Sequence, residues 1–142
     1  MSENIILIIN LATTFYLLGL ILTIQVVHYP SFIYIDQKLF TKFHLFHVRK
    51  ISIIVMIPMI LELLAAIALT YLFPNIYAII LLALVLLTWL STAMMSVPRH
   101  NKLSNSKNIK LISELVLTNW PRTIFWSARA IILSFLLIGN QT

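Results

Sequence analysis

Long apolar stretches separated by short polar segments dominate the pattern of this chain. Each of the four stretches is long enough to cross roughly 30 Å of hydrocarbon as a helix. They are Ile5–Val27, Ile51–Phe73, Ile76–Val97 and Thr123–Gly139. Because a bilayer interior offers no water to an unpaired backbone group, such stretches must be helical. The pattern predicts four membrane-spanning helices in a single domain of residues 1–142.

The two longer connections carry a helical pattern of their own. In loop one, Asp36 is placed to cap a helix that starts at Gln37, and apolar residues follow at helical spacing. In loop three, an apolar face over residues 109–116 predicts a short amphipathic helix lying on the membrane. Pro121 is expected in the first turn of the fourth span, where its missing N–H costs nothing. The predicted fold is an all-α membrane protein: an antiparallel four-transmembrane-helix bundle with short amphipathic interfacial helices in loops one and three.

Composition strengthens the membrane assignment and predicts an orientation. The chain is 61% hydrophobic and 10% charged, and nine of its ten Lys and Arg residues fall in or beside loops one and three. The positive-inside rule therefore places these loops in the cytoplasm and both the N- and C-termini outside. The same rule accounts for the pI near 9.9 without a nucleic-acid partner. The partners expected are the lipid bilayer, a lipid-soluble small molecule and, in a homo-oligomer, further copies of the chain.

All four histidines map to the ends of the spans that meet the basic loops. His28 ends span one, His44 and His47 precede span two, and His100 follows span three, so imidazoles from three helix ends are expected to converge. Neutral imidazole is a ligand for iron, copper and zinc, and helix bundles build metal sites from facing helices. The pattern is consistent with a transition metal ion or haem. Two alternatives stay open: interfacial histidines that are only solvated, and a proton-handling role.

Glu62 is the only charged residue in span two, and Arg129 is the only one in span four. An ionised group inside a bilayer is expensive, so each is expected to be paired or to face a wet cavity. One interpretation is a buried pair that locks the helices together. The other is a catalytic pair that lines a ligand cavity, with Glu62 as the acid or base or as a fourth metal ligand.

Polar residues also form a stripe on span four. Asn119, Arg122, Trp126 and Arg129 step by three and four positions and share one helix face. A guanidinium suits an anionic oxygen, so Arg122 is expected to bind substrate. Asn119 and Trp126, which share its helix face, are expected to bind substrate with it, as is Tyr29.

Trp126 and the hydroxyl residues of span three also have a purely structural interpretation. Trp126 also fits the interfacial aromatic belt. On span three, four hydroxyl residues either face the same interior or serve as ordinary helix-packing elements. They are Thr88, Ser91, Thr92 and Ser96.

Several motifs resemble an uncharacterised family of small bacterial four-span integral membrane proteins. They are His28-Tyr29-Pro30-Ser31-Phe32, His47-Val48-Arg49, Pro58-Met59 with Glu62, Val97-Pro98-Arg99-His100, and Asn119-Trp120-Pro121-Arg122-Thr123 with Trp126 and Arg129. This resemblance covers nearly the whole chain and implies a multi-pass protein of the bacterial inner (cytoplasmic) membrane. His44 is not part of the pattern, so His28, His47 and His100 are the preferred metal ligands.

A second, more distant resemblance covers only the latter half of the chain. Pro98, Asn101 and Leu103, with Asn119 and Arg122-Thr123, are similar to the anthrone-oxygenase-like membrane family. Some members of that family oxidise polyketide anthrones to quinones with oxygen, which implies an oxidoreductase. The histidines are not shared with that family.

These features predict a polar, metal-binding site at the cytoplasmic end of the bundle, in an oxidoreductase that acts on a quinone-like or aromatic lipid-soluble substrate. One alternative is a small oligomeric channel or transporter with Glu62 and Arg129 along its path. The outer halves of spans two and four, residues 63–69 and 130–137, offer only Ser134 as a polar side chain, which argues against a full conduit. The other alternative is a structural accessory subunit of a membrane complex.

Overall fold

Four long helices account for most of this computed structural model, which describes residues 2–139. They are α1, Glu3–Tyr34; α2, Gln37–Leu72; α3, Ile76–Leu103; and α4, Ile109–Gly139. Within residues 2–139, these four are long and apolar enough to cross a membrane. The all-α bundle is confirmed, and the four predicted spans fall within these four long apolar helices.

Short polar caps fix where the helices begin. The Asp36 carboxylate accepts a hydrogen bond from the Lys38 N–H at 2.8 Å, so the cap predicted for loop one is confirmed. Asn75 accepts from the Ala78 N–H at 2.9 Å, and Asn108 accepts from the Leu111 N–H at 3.0 Å. These caps keep the connections short, so consecutive helices run antiparallel and pack side by side.

The helical segments predicted in loops one and three are continuous with the spans that follow them. Pro121 therefore lies inside α4, and its predicted place in the first turn of a separate helix is wrong. The reason is that one buried stripe runs unbroken through this point. Its members are Ile112, Leu115, Asn119, Arg122, Trp126, Arg129 and Leu133, spaced alternately by three and four residues.

The four helices form a closed ring in which each packs against two neighbours. Helix α1 packs against α2 and α4, and α3 packs against the same two. Two apolar clusters fill the centre: one around Phe32, Phe40 and Trp126 at the histidine end, the other around Leu7 and Leu81 at the opposite end. A layer of buried polar side chains lies between them.

The outer surface of the ring is apolar. Exposed side chains include Val26 at 67%, Ile57 at 57% and Phe135 at 72% of their full surface. Exposed apolar area this extensive is foreign to a monomeric protein in water and fits contact with lipid tails.

Helices α1 and α3 each contain one π-helical turn, at Ile24–His28 and Thr92–Ser96. The Tyr29 N–H bonds back to the Ile24 carbonyl, and the Val97 N–H bonds back to the Thr92 carbonyl, each five residues earlier. A proline follows at the next position in both helices. Because a proline ring collides with the carbonyl four residues before it, the wider turn gives each ring room while the helix continues.

Candidate functional site

Glu62 and Arg129 meet in the buried polar layer at the middle of the bundle. Arg129 Nε lies 3.0 Å from Glu62 Oε1, and neither side chain is exposed. The Thr14 hydroxyl donates to the same carboxylate oxygen at 2.7 Å, and Trp126 Nε1 donates to the other at 3.0 Å. Both carboxylate oxygens are therefore occupied by donors.

The rest of the Arg129 guanidinium is also satisfied by the protein. It donates to the Asn10 side-chain oxygen at 3.1 Å and to the Leu81 backbone carbonyl. These bonds join all four helices at one level, because Asn10 belongs to α1, Glu62 to α2 and Leu81 to α3. Of the two interpretations of this pair, the geometry favours the one in which it locks the helices.

A cavity of about 240 Å³ lies on the histidine side of this layer. Its walls are largely apolar, with Leu17, Ile21, Val55 and Met59 among them. Four residues predicted as site members line it as well. They are Tyr29, His100, Arg122 and Trp126. Glu62 and Arg129 are not among the lining residues, so the predicted catalytic pair and the cavity are separate.

The cavity opens between α2 and α3. The exposed residues of its lining lie on these two helices: Ser52 and Met56 on α2, and Val97 and Asn101 on α3. Because Ser52, Met56 and Val97 belong to the predicted spans, the opening faces the side of the bundle where lipid is expected.

Three lining residues carry a buried polar atom with no hydrogen-bond partner among the residues that the structure describes. These atoms are Arg122 Nε, Trp89 Nε1 and the Ser96 hydroxyl. Buried polar groups are nearly always paired, so three unpaired donors around one cavity call for an explanation. Each of them has a hydrogen to offer to an acceptor.

A chain of side chains behind the cavity holds Arg122 in place. The Gln25 amide donates to the Val116 carbonyl at 3.0 Å, and Gln25 accepts from the Asn119 amide at 2.7 Å. Asn119 in turn accepts a hydrogen bond from the Arg122 guanidinium. Asn119, predicted to bind substrate, thus orients Arg122 and is not itself one of the lining residues.

The predicted convergence of the histidines is seen at the basic end of the bundle. His28 Nε2 lies 2.7 Å from His47 Nδ1, and His44 Nε2 lies 3.1 Å from His100 Nδ1. In each pair one imidazole donates and the other accepts, so the accepting ring of each pair is neutral. Their centroids are 4.5 Å apart for His28 and His47 and 5.7 Å apart for His47 and His100.

The histidine cluster reaches the cavity through Tyr29. The Tyr29 hydroxyl lies 2.9 Å from His100 Nε2, and both residues line the cavity. On the other side, the Ser104 hydroxyl lies 3.3 Å from His44 Nδ1. Ser104, His44, His100 and Tyr29 form a continuous hydrogen-bonded path to the cavity.

No group of three or more His, Cys, Asp or Glu side chains within residues 2–139 is arranged to hold a metal ion. One nitrogen of each imidazole is used in a histidine pair, His28 with His47 and His44 with His100, while His47 Nε2 has no hydrogen-bond partner among the described residues. The metal or haem site at His28, His47 and His100 stays a prediction.

Several residues of these networks were not singled out from the sequence. Asn10 and Thr14 face Arg129 and Glu62, and their spacing of four on one face of span one was the available signal. His44 is fully buried in the histidine cluster, although the family resemblance left it out of the ligand set. Trp89 gave no signal beyond its place in an apolar span.

No family model, curated protein or solved structure matches this chain. The resemblance to the anthrone-oxygenase-like family is therefore unsupported. The four long apolar helices fit the architecture of a small four-span membrane protein.

Proposed function

We propose that this protein binds a lipid-soluble small molecule, with a quinone-like or aromatic body and at least one oxygen acceptor, in the cavity that opens between α2 and α3. One observation carries the proposal. The buried donors without a partner on Arg122, Trp89 and Ser96 belong to residues that line this one apolar cavity. Small-molecule sites have this character, with apolar walls and a few polar groups that set the orientation of the ligand.

The position of the opening supports a ligand that arrives from the membrane. Ser52 and Met56 on α2, and Val97 on α3, are exposed at the mouth of the cavity and belong to apolar spans. A molecule dissolved in the bilayer reaches such a mouth by lateral diffusion, without crossing water.

Binding is tested on the full chain purified in a nonionic detergent, with two naphthalene probes: a naphthoquinone and 2-naphthoate. Trp89 and Trp126 line the cavity, so a bound probe quenches tryptophan fluorescence. Val55→Phe should fill part of the cavity and weaken binding of the better probe about tenfold.

Ile53→Phe is the matched control, since Ile53 lies on the same helix, is 57% exposed and does not line the cavity. It should leave binding unchanged. Failure of both probes to bind, or equal binding in the Val55→Phe variant and the wild type, would overturn the proposal.

A second candidate adds a transition metal or haem, held by His28, His47 and His100, and oxidation chemistry on the bound molecule. What favours it is that these imidazoles lie together beside the cavity. Metal binding requires the His100 ring to leave its hydrogen bonds to Tyr29 and His44, whereas His47 Nε2 has no hydrogen-bond partner among the described residues.

The test is metal analysis and a visible spectrum of the purified wild type beside His28→Ala. A stoichiometric metal that disappears in the variant supports this candidate. A preparation grown with iron, copper and zinc that carries neither metal nor a Soret band contradicts it, and leaves the binding proposal standing.

A further inference from the structure

The charge of Arg122 has no counter-ion in the part of the chain that the structure describes. The side chain is only 5% exposed, and within residues 2–139 it donates a hydrogen bond to the neutral side chain of Asn119. Arginine is a permanent cation in proteins, so its charge remains when the side chain is buried. A fixed positive charge is therefore held beside an apolar cavity.

The four carboxylates of the chain are placed elsewhere. Glu62 pairs with Arg129, Glu114 lies 3.6 Å from Arg99, and Asp36 caps a helix. Glu3 begins α1, at the opposite end of the bundle from the histidines. No side chain among residues 2–139 is left to neutralise Arg122.

Arg129, two turns later on the same face of α4, shows how this bundle treats a buried arginine that belongs to the fold. It has a carboxylate at 3.0 Å, and acceptors for the rest of its guanidinium. Burying a charge without such a partner is costly. The contrast suggests that the partner of Arg122 comes from outside the chain.

We propose that the ligand of this cavity is a compact lipid-soluble anion whose carboxylate, phenolate or enolate oxygen pairs with Arg122. Trp89 and Ser96 supply further donors to that oxygen, and the apolar walls take the body of the molecule. The inference rests on the proposed function and narrows it from any oxygen acceptor to an oxyanion.

The size of the cavity favours a free compact molecule over the head group of a phospholipid. Its volume of about 240 Å³ is below the usual range of ligand sites, which begins at roughly 300 Å³. One or two fused rings match such a space better than a branched glycerol phosphate with two acyl chains.

The test compares 2-naphthoate with 2-naphthamide, which differ in charge and hardly in shape. In wild-type protein in nonionic detergent, the carboxylate should bind at least about tenfold more tightly than the amide, because a hydrogen bond to a charged group is worth more than a neutral one. Arg122→Gln should bring this ratio close to one, and Arg122→Lys should keep part of it.

Arg99→Gln is the matched control, because it removes one positive charge of the basic end without changing the cavity lining. It should leave the ratio as in the wild type. A thermal unfolding scan accompanies each variant, and the wild-type ratio needs no variant, so a poorly folded Arg122→Gln does not remove the test.

Equal affinity of the wild-type protein for naphthoate and naphthamide would overturn the proposal that the ligand is an anion. The proposed function would remain intact. Binding of neither naphthoate nor naphthamide would overturn the anionic ligand, and failure of the naphthoquinone to bind as well would overturn the proposed function. A third arm adds phosphatidylglycerol to the micelles. Displacement of naphthoate by this lipid would overturn the compact ligand in favour of an anionic head group.

Discussion

At the residue scale, two arginines on one face of α4 have opposite environments. Arg129 is surrounded by acceptors from α1, α2 and α3, whereas Arg122 has a single neutral partner. The first arrangement stabilises the fold, since a charge with a full set of acceptors tolerates burial. The second leaves the Arg122 charge without a counter-ion among the described residues, so it is available to pair with the proposed ligand.

Glu62→Gln should destabilise the bundle strongly. It leaves the Arg129 charge unpaired in the interior, and breaking a buried pair from one side costs ~3–5 kcal/mol. The measurement is the free energy of unfolding in mixed micelles. Replacing both partners, with Glu62→Leu and Arg129→Met, should cost less than the sum of the two single changes, because no charge is then left unpaired.

Glu114→Gln provides the comparison for this prediction. Its pairing with Arg99 spans 3.6 Å, and the two side chains are 38% and 26% exposed. Pairs of this kind contribute ~0–1 kcal/mol, so the loss of stability should be small. Equal losses in Glu62→Gln and Glu114→Gln would contradict the structural role of the buried pair.

The sequence allowed the Glu62–Arg129 pair to be anticipated because each is the only charge in its span. The partners Asn10 and Thr14 were not anticipated, since a neutral polar residue in an apolar helix also occurs for packing alone. The unpaired donors of Trp89 and Ser96 could not be foreseen at all. Whether a side chain has a partner depends on which helix faces it.

At the element scale, the two π-helical turns shape the cavity. Ile24 on α1, and Thr92 and Ser96 on α3, belong to these turns and line the cavity. Each turn precedes a proline, at Pro30 and Pro98, by one intervening residue. The extra residue in each turn therefore serves both the proline and the cavity wall.

Deleting Met94 from the second π turn should convert it to ordinary α-helix. Met94 is 66% exposed, so the deletion removes little packing. The Pro98 ring then meets a carbonyl without the wider turn, and the cost should be ~3 kcal/mol or more. The measurement is again the free energy of unfolding in mixed micelles.

The same deletion in a Pro98→Ala background should cost much less, because alanine accepts a regular helix. In this background the effects on stability and on ligand binding can be measured separately. The deletion still alters the cavity wall at Ser96, so probe binding should remain weak although the protein is stable. A deletion that costs the same with and without Pro98 would show that the π turn does not accommodate the proline.

The helices themselves could be predicted from the sequence, whereas their irregularities could not. Apolar length predicted the four spans, and the cap at Asp36 predicted where α2 begins. Proline, however, is read as a helix start or stop in a sequence, and in this bundle Pro98 and Pro121 both lie within long helices. The packed stripe on α4 outweighs the lost hydrogen bond of Pro121.

At the scale of the whole molecule, charge and hydropathy predict how the bundle sits in a membrane. The basic residues collect at the end where the histidines lie, and the short link between α2 and α3 carries no Lys or Arg. The rule for basic loops predicts that the histidine end is cytoplasmic.

Cysteine labelling tests this orientation cleanly, because the natural chain contains no cysteine. Ser106→Cys, in the exposed link between α3 and α4, should react with an impermeant maleimide only after the cells are opened. Pro74→Cys, in the exposed link between α2 and α3, should react in intact cells. The opposite pattern would invert the predicted orientation, and labelling of both sites in intact cells would contradict a four-span insertion.

The polar layer of Asn10, Thr14, Glu62 and Arg129 lies beyond the inner end of the cavity, and its members have no exposed surface. The exposed lining residues lie on α2 and α3, so a ligand that binds as proposed would enter and leave by the gap between these two helices. In a bilayer, a single copy of this protein would thus exchange the proposed ligand with one leaflet alone. The fraction of protein with ligand bound would then depend on the ligand concentration in that leaflet and not on the concentration in the other.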